Sequence, residues 1–211
     1  NDFYTQIAEA MEDGVNDAGY ITYICNTKRS VIKETEYIND IITRRVDGVI
    51  FSPTRVKPED NIQNQKNIEE LRRHNVSVVA FGSRFDDVSQ VSVDTYRGAY
   101  EATKYLISLG HRRIGFIDGL TAGTSRNRRK GYMDALKAEG ICLDETLMMD
   151  GNLKMDSGYI NAIEMLNMNE PPTAIFAVNN LMAIGVLKAA RDMHIIVPRE
   201  LSVIGFDDSI L

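Results

Sequence analysis

Polar side chains recur where apolar runs stop. Asp94 follows Val91 and Val93, Asn179 and Asn180 follow the run Ala174 to Val178, and Asp207 and Asp208 follow Leu201 to Phe206. Carboxylate lone pairs and amide donors in such places suit the vicinal hydroxyls of a sugar or the edges of a base, because a buried polar group is costly unless paired. The same residue types at strand-to-helix joints also serve as helix N-caps, whatever a protein does. Arg126, Arg128, Arg129 and Lys130 form a basic cluster near a helix start. A phosphorylated ligand would meet both cations and free backbone amides there, and the same run also makes a solvated face with one functional member. Gly119 and Gly123 are not followed by Gly-Lys-Ser/Thr, and no Gly-x-Gly-x-x-Gly opens a strand-helix unit, so neither phosphate-loop motif is present. There is no Gly-x-Ser-x-Gly elbow, no His-Glu-x-x-His and no locally spaced Cys/His dyad, which points away from an enzyme. His74, His111 and His194 lack companions at metal-ligand spacing. Neither a metal nor a cofactor is expected.

The bulk composition narrows the class. A chain of 211 residues with 44% hydrophobic and 26% charged residues is ordinary for a globular protein and can bury a sizeable core. Its net charge of −6 would repel a phosphate backbone on average, so DNA contact is expected only through residues outside this chain. The two cysteines, Cys25 and Cys142, are far apart and read as buried free thiols. No apolar run approaches the roughly 20 residues that cross a membrane. The first residue is Asn and the chain opens on a helix start, so a segment upstream is expected.

The elements that carry these residues follow from periodicity. Phe3, Ile7, Met11 and Val15 predict a helix capped by Asp2 and stopped near Gly19. Tyr20 to Cys25 reads as a buried strand, followed by a helix with Ile38, Ile41 and Ile42, a strand Val49 to Phe51, a helix with Ile68 and Leu71, and a strand Val76 to Phe81. Residues 82–90 read as an irregular connection. Val91 and Val93 form a strand ended by Asp94, residues 96–109 a helix stopped by Gly110, and Ile114 to Ile117 a buried parallel strand. A helix Ser125 to Leu136, a strand Leu147 to Met149 and a helix capped by Asp156 follow. Strand Ala174 to Val178, helix Leu181 to Met193 and strand Leu201 to Phe206 complete the chain. Strands recurring every 25 to 30 residues with helices between them are the pattern of βαβ units and parallel sheets. Ligands bind beyond the carboxyl ends of such strands. Eight candidate strands are many for one sheet, so two lobes facing a ligand cleft are expected.

Several strings carry a family resemblance. Val93-Asp94-Thr95 before a Gly-Ala helix start, Leu109-Gly110-His111-Arg112-Arg113-Ile114, Arg45-Val46-Asp47-Gly48-Val49-Ile50, Ala177-Val178-Asn179-Asn180-Leu181-Met182-Ala183 and Gly205-Phe206-Asp207-Asp208 stand in order along the chain. Together with Asn1 to Tyr4 and with Arg128 three residues before Gly131-Tyr132, they resemble the effector-binding domain of LacI/GalR-family transcriptional regulators. That resemblance implies an α/β fold of two Rossmann-like lobes with parallel sheets around a ligand cleft, the type I periplasmic binding protein-like arrangement, truncated here at both ends. It implies an N-terminal lobe over 1–93 without its first strand, a C-terminal lobe over 94–207, and the start of a crossover back at 208–211. It assigns Phe3, Tyr4, Asp94, Arg128, Asn179 and Asp207 to the effector, with Thr124 and Leu153 as further candidates. It also implies a homodimer, a small-molecule effector that is a sugar or sugar derivative before a purine, operator DNA read by a helix-turn-helix headpiece not in this chain, and a cytoplasmic protein without membrane contact. The chain departs from the family pattern at Asp2, Thr95, Asn180 and Gly82-Ser83-Arg84. An exported sugar-binding protein of a transport system shares the same lobed design and is the alternative.

Overall fold

In a computed structural model that describes residues 2–53, 60–82, 85, 87–119 and 124–207, the apolar runs become strands of two separate parallel sheets. The chain divides into two units, Ala8–Val93 and Asp94–Leu211 with Asn1–Ile7. No helix of the described residues is long and apolar enough to cross a membrane.

In the unit Ala8–Val93, helix α1 (Asp2–Asp17) leads in from the other unit and is followed by α2 (Val31–Thr43). Ser30 starts α2, its hydroxyl oxygen accepting from the amide of Lys33 at 3.3 Å, and Arg45 turns the chain out of the helix through a left-handed backbone (φ 55°). Strand β1 (Gly48–Phe51), α3 (Asp60–Arg73), β2 (Ser77–Phe81) and β3 (Ser89–Val91) complete the unit. The sheet order is β1-β2-β3, with Gly48 beside Ser77 and Val79 beside Ser89. Ile38, Phe51, Ile68, Leu71 and Val76 make its core. The seam between α2 and α3 is polar: Asn67 donates to buried Glu34 at 3.2 Å and accepts from Thr35 at 3.2 Å and from Gln63 at 3.0 Å.

Two expectations fail in this unit. Residues Tyr20 to Cys25 are not a strand: no ladder pairs them, and Tyr20, Ile21, Tyr23 and Ile24 are 57–79% exposed. A strand exists only through its neighbour, and among the described residues none lies beside this segment. Cys25 is therefore exposed rather than buried, and Cys142 is exposed as well. The expected strand at Val91 and Val93 is shifted, ending at Val91.

In the second unit, α4 (Thr95–Ser108), β4 (Ile114–Asp118), α5 (Thr124–Ala138), a 3-10 turn at Glu145–Leu147, β5 (Met148–Asp150), α6 (Met155–Leu166), β6 (Ala174–Ala177), α7 (Asn180–Asp192) and β7 (Ser202–Ile204) follow in order. The parallel sheet is ordered β5-β4-β6-β7. Every residue of β4 and β6 is buried, as expected for strands covered on both faces. Helices α4 and α5 pack as one pair and α6 and α7 as another. The second seam is close: a Cβ on Gly185 would lie 2.2 Å from the carbonyl oxygen of Met155. Asp156 does not cap α6, which starts one residue earlier after Lys154 and has no side-chain cap. At the amino ends of the strands, the His111 ring bridges the hydroxyls of Thr173 and Ser202 at 2.8 and 2.9 Å, tying the leads into β4, β6 and β7 together.

Candidate functional site

The order β5-β4-β6-β7 places β5 and β6 on opposite sides of β4. The connections leaving β4 and β6 therefore part at their carboxyl ends and open a crevice at the switch point. Asp118 ends β4, and Val178 and Asn179 follow β6. Arg128 reaches this point from the second turn of α5. Its Nη1 donates to the carbonyl of Val178 at 2.5 Å, and its Nη2 lies 3.5 Å from Oδ1 of Asp207, just beyond β7. The guanidinium also stacks 3.8 Å above the Phe206 ring. Phe206 can approach because Gly98 of α4 has no side chain; a Cβ there would stand 2.8 Å from the ring.

This ion pair is under-satisfied. The side chains of Arg128 and Asp207 are 12% and 20% exposed, and Nε of Arg128 has no hydrogen-bond partner among the described residues. Burial pulls the Arg128 guanidinium below its ordinary value, a shift opposed by Asp207, Tyr4 and Asp118. Burial likewise pushes the Asp207 carboxyl up against the opposing pull of Arg128. Desolvation thus outweighs attraction on both partners, as it can for buried pairs whose hydrogen bonds are incomplete. Asp207 also sits in the left-handed region (φ 77°), a conformation that a non-glycine residue holds at some cost. A ligand hydroxyl that donates to Asp207 while accepting from Arg128 would supply what the pair lacks, at about 1.5–3 kcal/mol for each charged hydrogen bond.

The other sequence candidates fall into distinct settings. Asn179 caps α7, accepting from the amide of Met182 at 2.9 Å and donating to the carbonyl of Leu153 at 3.0 Å. Leu153 has a left-handed backbone (φ 66°), and its side chain packs over Gly119. Asp94 caps α4, accepting from the amide of Arg97 at 2.9 Å. In Asp94 and Asn179, then, the capping role occupies side-chain atoms also proposed for a ligand. Tyr4, 55% exposed in the first turn of α1, is near enough to Arg128 to act on it electrostatically. Phe3 lies in α1 and Thr124 opens α5; the side chains of both lie outside the described residues.

A second network at the same strand ends went unread in the sequence. Asp118, 2% exposed, accepts from the amide of Gly119 at 2.7 Å, from the hydroxyl of Ser125, and from Nε of Arg129 at 2.5 Å. Nη2 of Arg129 continues to Asp150 at 2.9 Å. The legible signal was Asp118 itself, a carboxylate closing an otherwise apolar strand, with Ser125 and Arg129 four residues apart on one helix face. The basic cluster is thereby dispersed. Arg128 and Arg129 meet carboxylates, exposed Lys130 lies 3.8 Å from Asp134, and Arg126 is exposed. A separate hollow of about 440 Å³, lined by Ile42, Arg45, Asp47, His74 and neighbouring residues, lies at the opposite, amino ends of β1 and β2. It is formed between the carboxyl ends of α2 and α3, whose dipoles disfavour an anion.

Known proteins share this design. The profile of the periplasmic binding protein-like domain matches residues 103–211. The chain is 36% identical to the HTH-type transcriptional regulator DegA of Bacillus subtilis, over 100% of this chain and 62% of DegA. It resembles the solved structure of a sugar-binding transcriptional regulator of the LacI family from Escherichia coli complexed with phosphate, with TM-score 0.83 and 28% identity over 98% of this chain and 73% of that one. It also resembles a complex of the transcriptional regulator CelR with cellobiose, with TM-score 0.81 and 29% identity over 99% of this chain and 63% of that one. The chain spans only about three-fifths of the length of the curated relatives it matches. With two parallel α/β sheets and these relatives, the chain belongs to the periplasmic binding protein-like domain family, in the form carried by LacI-family transcriptional regulators.

Proposed function

We propose that this chain is the effector-binding region of a LacI/GalR-type transcriptional regulator and that its effector is an uncharged sugar or sugar derivative. The observation that carries the ligand class is the Arg128–Asp207 pair, two desolvated opposite charges that meet only at 3.5 Å at the switch point of the sheet. A hydroxyl can donate to one and accept from the other, whereas a phosphate would be drawn to Arg128 and repelled by Asp207. The cellobiose complex of CelR supports this class. In this reading the effector is held by Phe3, Tyr4, Asp94, Thr124, Arg128, Leu153, Asn179 and Asp207. No chemistry is performed on it. Its differential affinity for two closure states of a homodimer shifts their populations and so changes operator binding by headpieces outside this chain, in the cytoplasm.

The test is calorimetric titration of the full-length native protein with cellobiose and a panel of neutral sugars, followed by DNA-binding assays on the promoter of its own gene. Saturable sugar binding that alters DNA affinity supports the reading. A cleaved export signal on the native product, with sugar binding but no DNA binding, transfers the same site to a transport receptor and overturns it.

A further inference from the structure

The two adjacent arginines of α5 have opposite fates. Arg128 points at Val178 and Asp207, while Arg129 is drawn across the carboxyl end of β4 onto Asp118 and from there to Asp150. The side chain of Asp118 is 3% exposed and is satisfied from three directions: the strand's own continuation at Gly119, the first turn of α5 through Ser125, and the second turn through Arg129. One buried carboxylate therefore fastens the start of α5 to the end of β4. Residues 128 and 129 share that helix, so fixing the rotation of Arg129 about the helix axis fixes the direction in which Arg128 leaves it. A carboxylate at the start of a helix is also favoured by the helix dipole.

We infer that Asp118 is a positioning residue for the effector site: by holding Ser125 and Arg129 it aims Arg128 at Asp207 and keeps the charge of Arg129 out of the site. The anchor also sets ligand class. With Arg129 bound to Asp118 and Asp150, the cation presented beside Asp207 is Arg128, whose charge is opposed by that carboxylate at 3.5 Å. Freeing Arg129 would add a second guanidinium and turn the same strand end toward phosphate. The inference draws its functional meaning from the effector-site reading, yet its first test needs no effector.

Full-length protein labelled with [15N]arginine is compared with its Asp118→Asn variant, the Arg128 Nε–H resonance being assigned by its loss in Arg128→Lys. The expected result is a displaced or broadened Arg128 resonance in the folded Asp118→Asn protein. Asp150→Asn, altered at a 69% exposed side chain, gives a smaller shift in the same direction and decides the matter if Asp118→Asn does not fold. A lowered melting temperature with the Arg128 resonance unmoved assigns Asp118 a purely structural role and overturns the inference. In a second arm, inorganic phosphate is titrated and followed by 31P linewidth. Wild-type protein is expected to show no saturable binding, and the Asp118→Asn, Asp150→Asn double variant is expected to gain binding that Arg129→Gln removes again. Saturable phosphate binding by wild type that Arg128→Lys abolishes overturns it. A displaced Arg128 resonance in a protein that binds none of the sugars would sink the sugar reading and leave the positioning role standing.

Discussion

Arg128 carries most of the site's meaning, because its guanidinium holds Val178, faces Asp207 and covers Phe206 at once. Lysine preserves the charge but not the fork. Arg128→Lys is therefore expected to weaken effector binding by about 1.5–3 kcal/mol, roughly 10- to 150-fold, measured by calorimetry on the folded variant. Asp207 supplies a prediction with a defined sign. Burial raises its carboxyl above the ordinary 3.8, so the folded chain retains a proton that the unfolded chain has lost. Its contribution to stability is thus complete below about pH 3.8 and declines as pH rises through the higher folded value. Asp207→Asn should abolish that decline while weakening effector binding, at the cost of the counter-charge that Asp207 gives buried Arg128. Urea melts from pH 3.5 to 7 check the first half, and titration checks the second.

At the scale of elements, the seams decide what can change. A Cβ on Gly185 would meet the carbonyl oxygen of Met155 at 2.2 Å and the amide nitrogen of Tyr159 at 2.6 Å, both backbone atoms that cannot step aside. Gly185→Ala should force α6 and α7 apart and cost about 1–3 kcal/mol or more, read as a lower thermal midpoint. The amino ends of the strands have their own clasp in His111. Each ring nitrogen faces a hydroxyl, and burial holds the ring below its ordinary value of 6.5. The neutral form is the folded one. Its contribution is complete above about pH 6.5 and is lost as pH falls through the lower folded value. His111→Gln should flatten that acid-side slope, which denaturant melts between pH 5 and 7.5 measure directly.

For the whole molecule, charge governs partners. A chain of net charge −6 is expected to show no retardation of duplex DNA at about 0.15 M salt when studied by itself, because its excess of carboxylates repels the phosphates and displaces few counterions from the DNA. Gel-shift titration of this 211-residue chain beside the full-length protein checks it. Retardation by the chain alone would place DNA contacts on the effector domain.

The class of fold is legible in residue order, since apolar runs at about 25 to 30 residue spacing, broken by Gly110 and Gly140, admit few arrangements other than parallel βαβ units. The sequence also marked Arg128 and Asp207, 79 residues apart, through strings resembling a known family. Tertiary structure decided the rest. Periodicity records how often a side chain faces inward but not which strand lies beside it, so Tyr20 to Cys25 read as a strand and yet has no ladder. Four neighbouring basic residues looked alike in the sequence. Burial and the carboxylates brought to them from β4, β5 and the turn after β7 separated Arg128 from Arg129. The strength and direction of a charge depend on what folding places within a few ångströms of it, and that distance is not written in residue order.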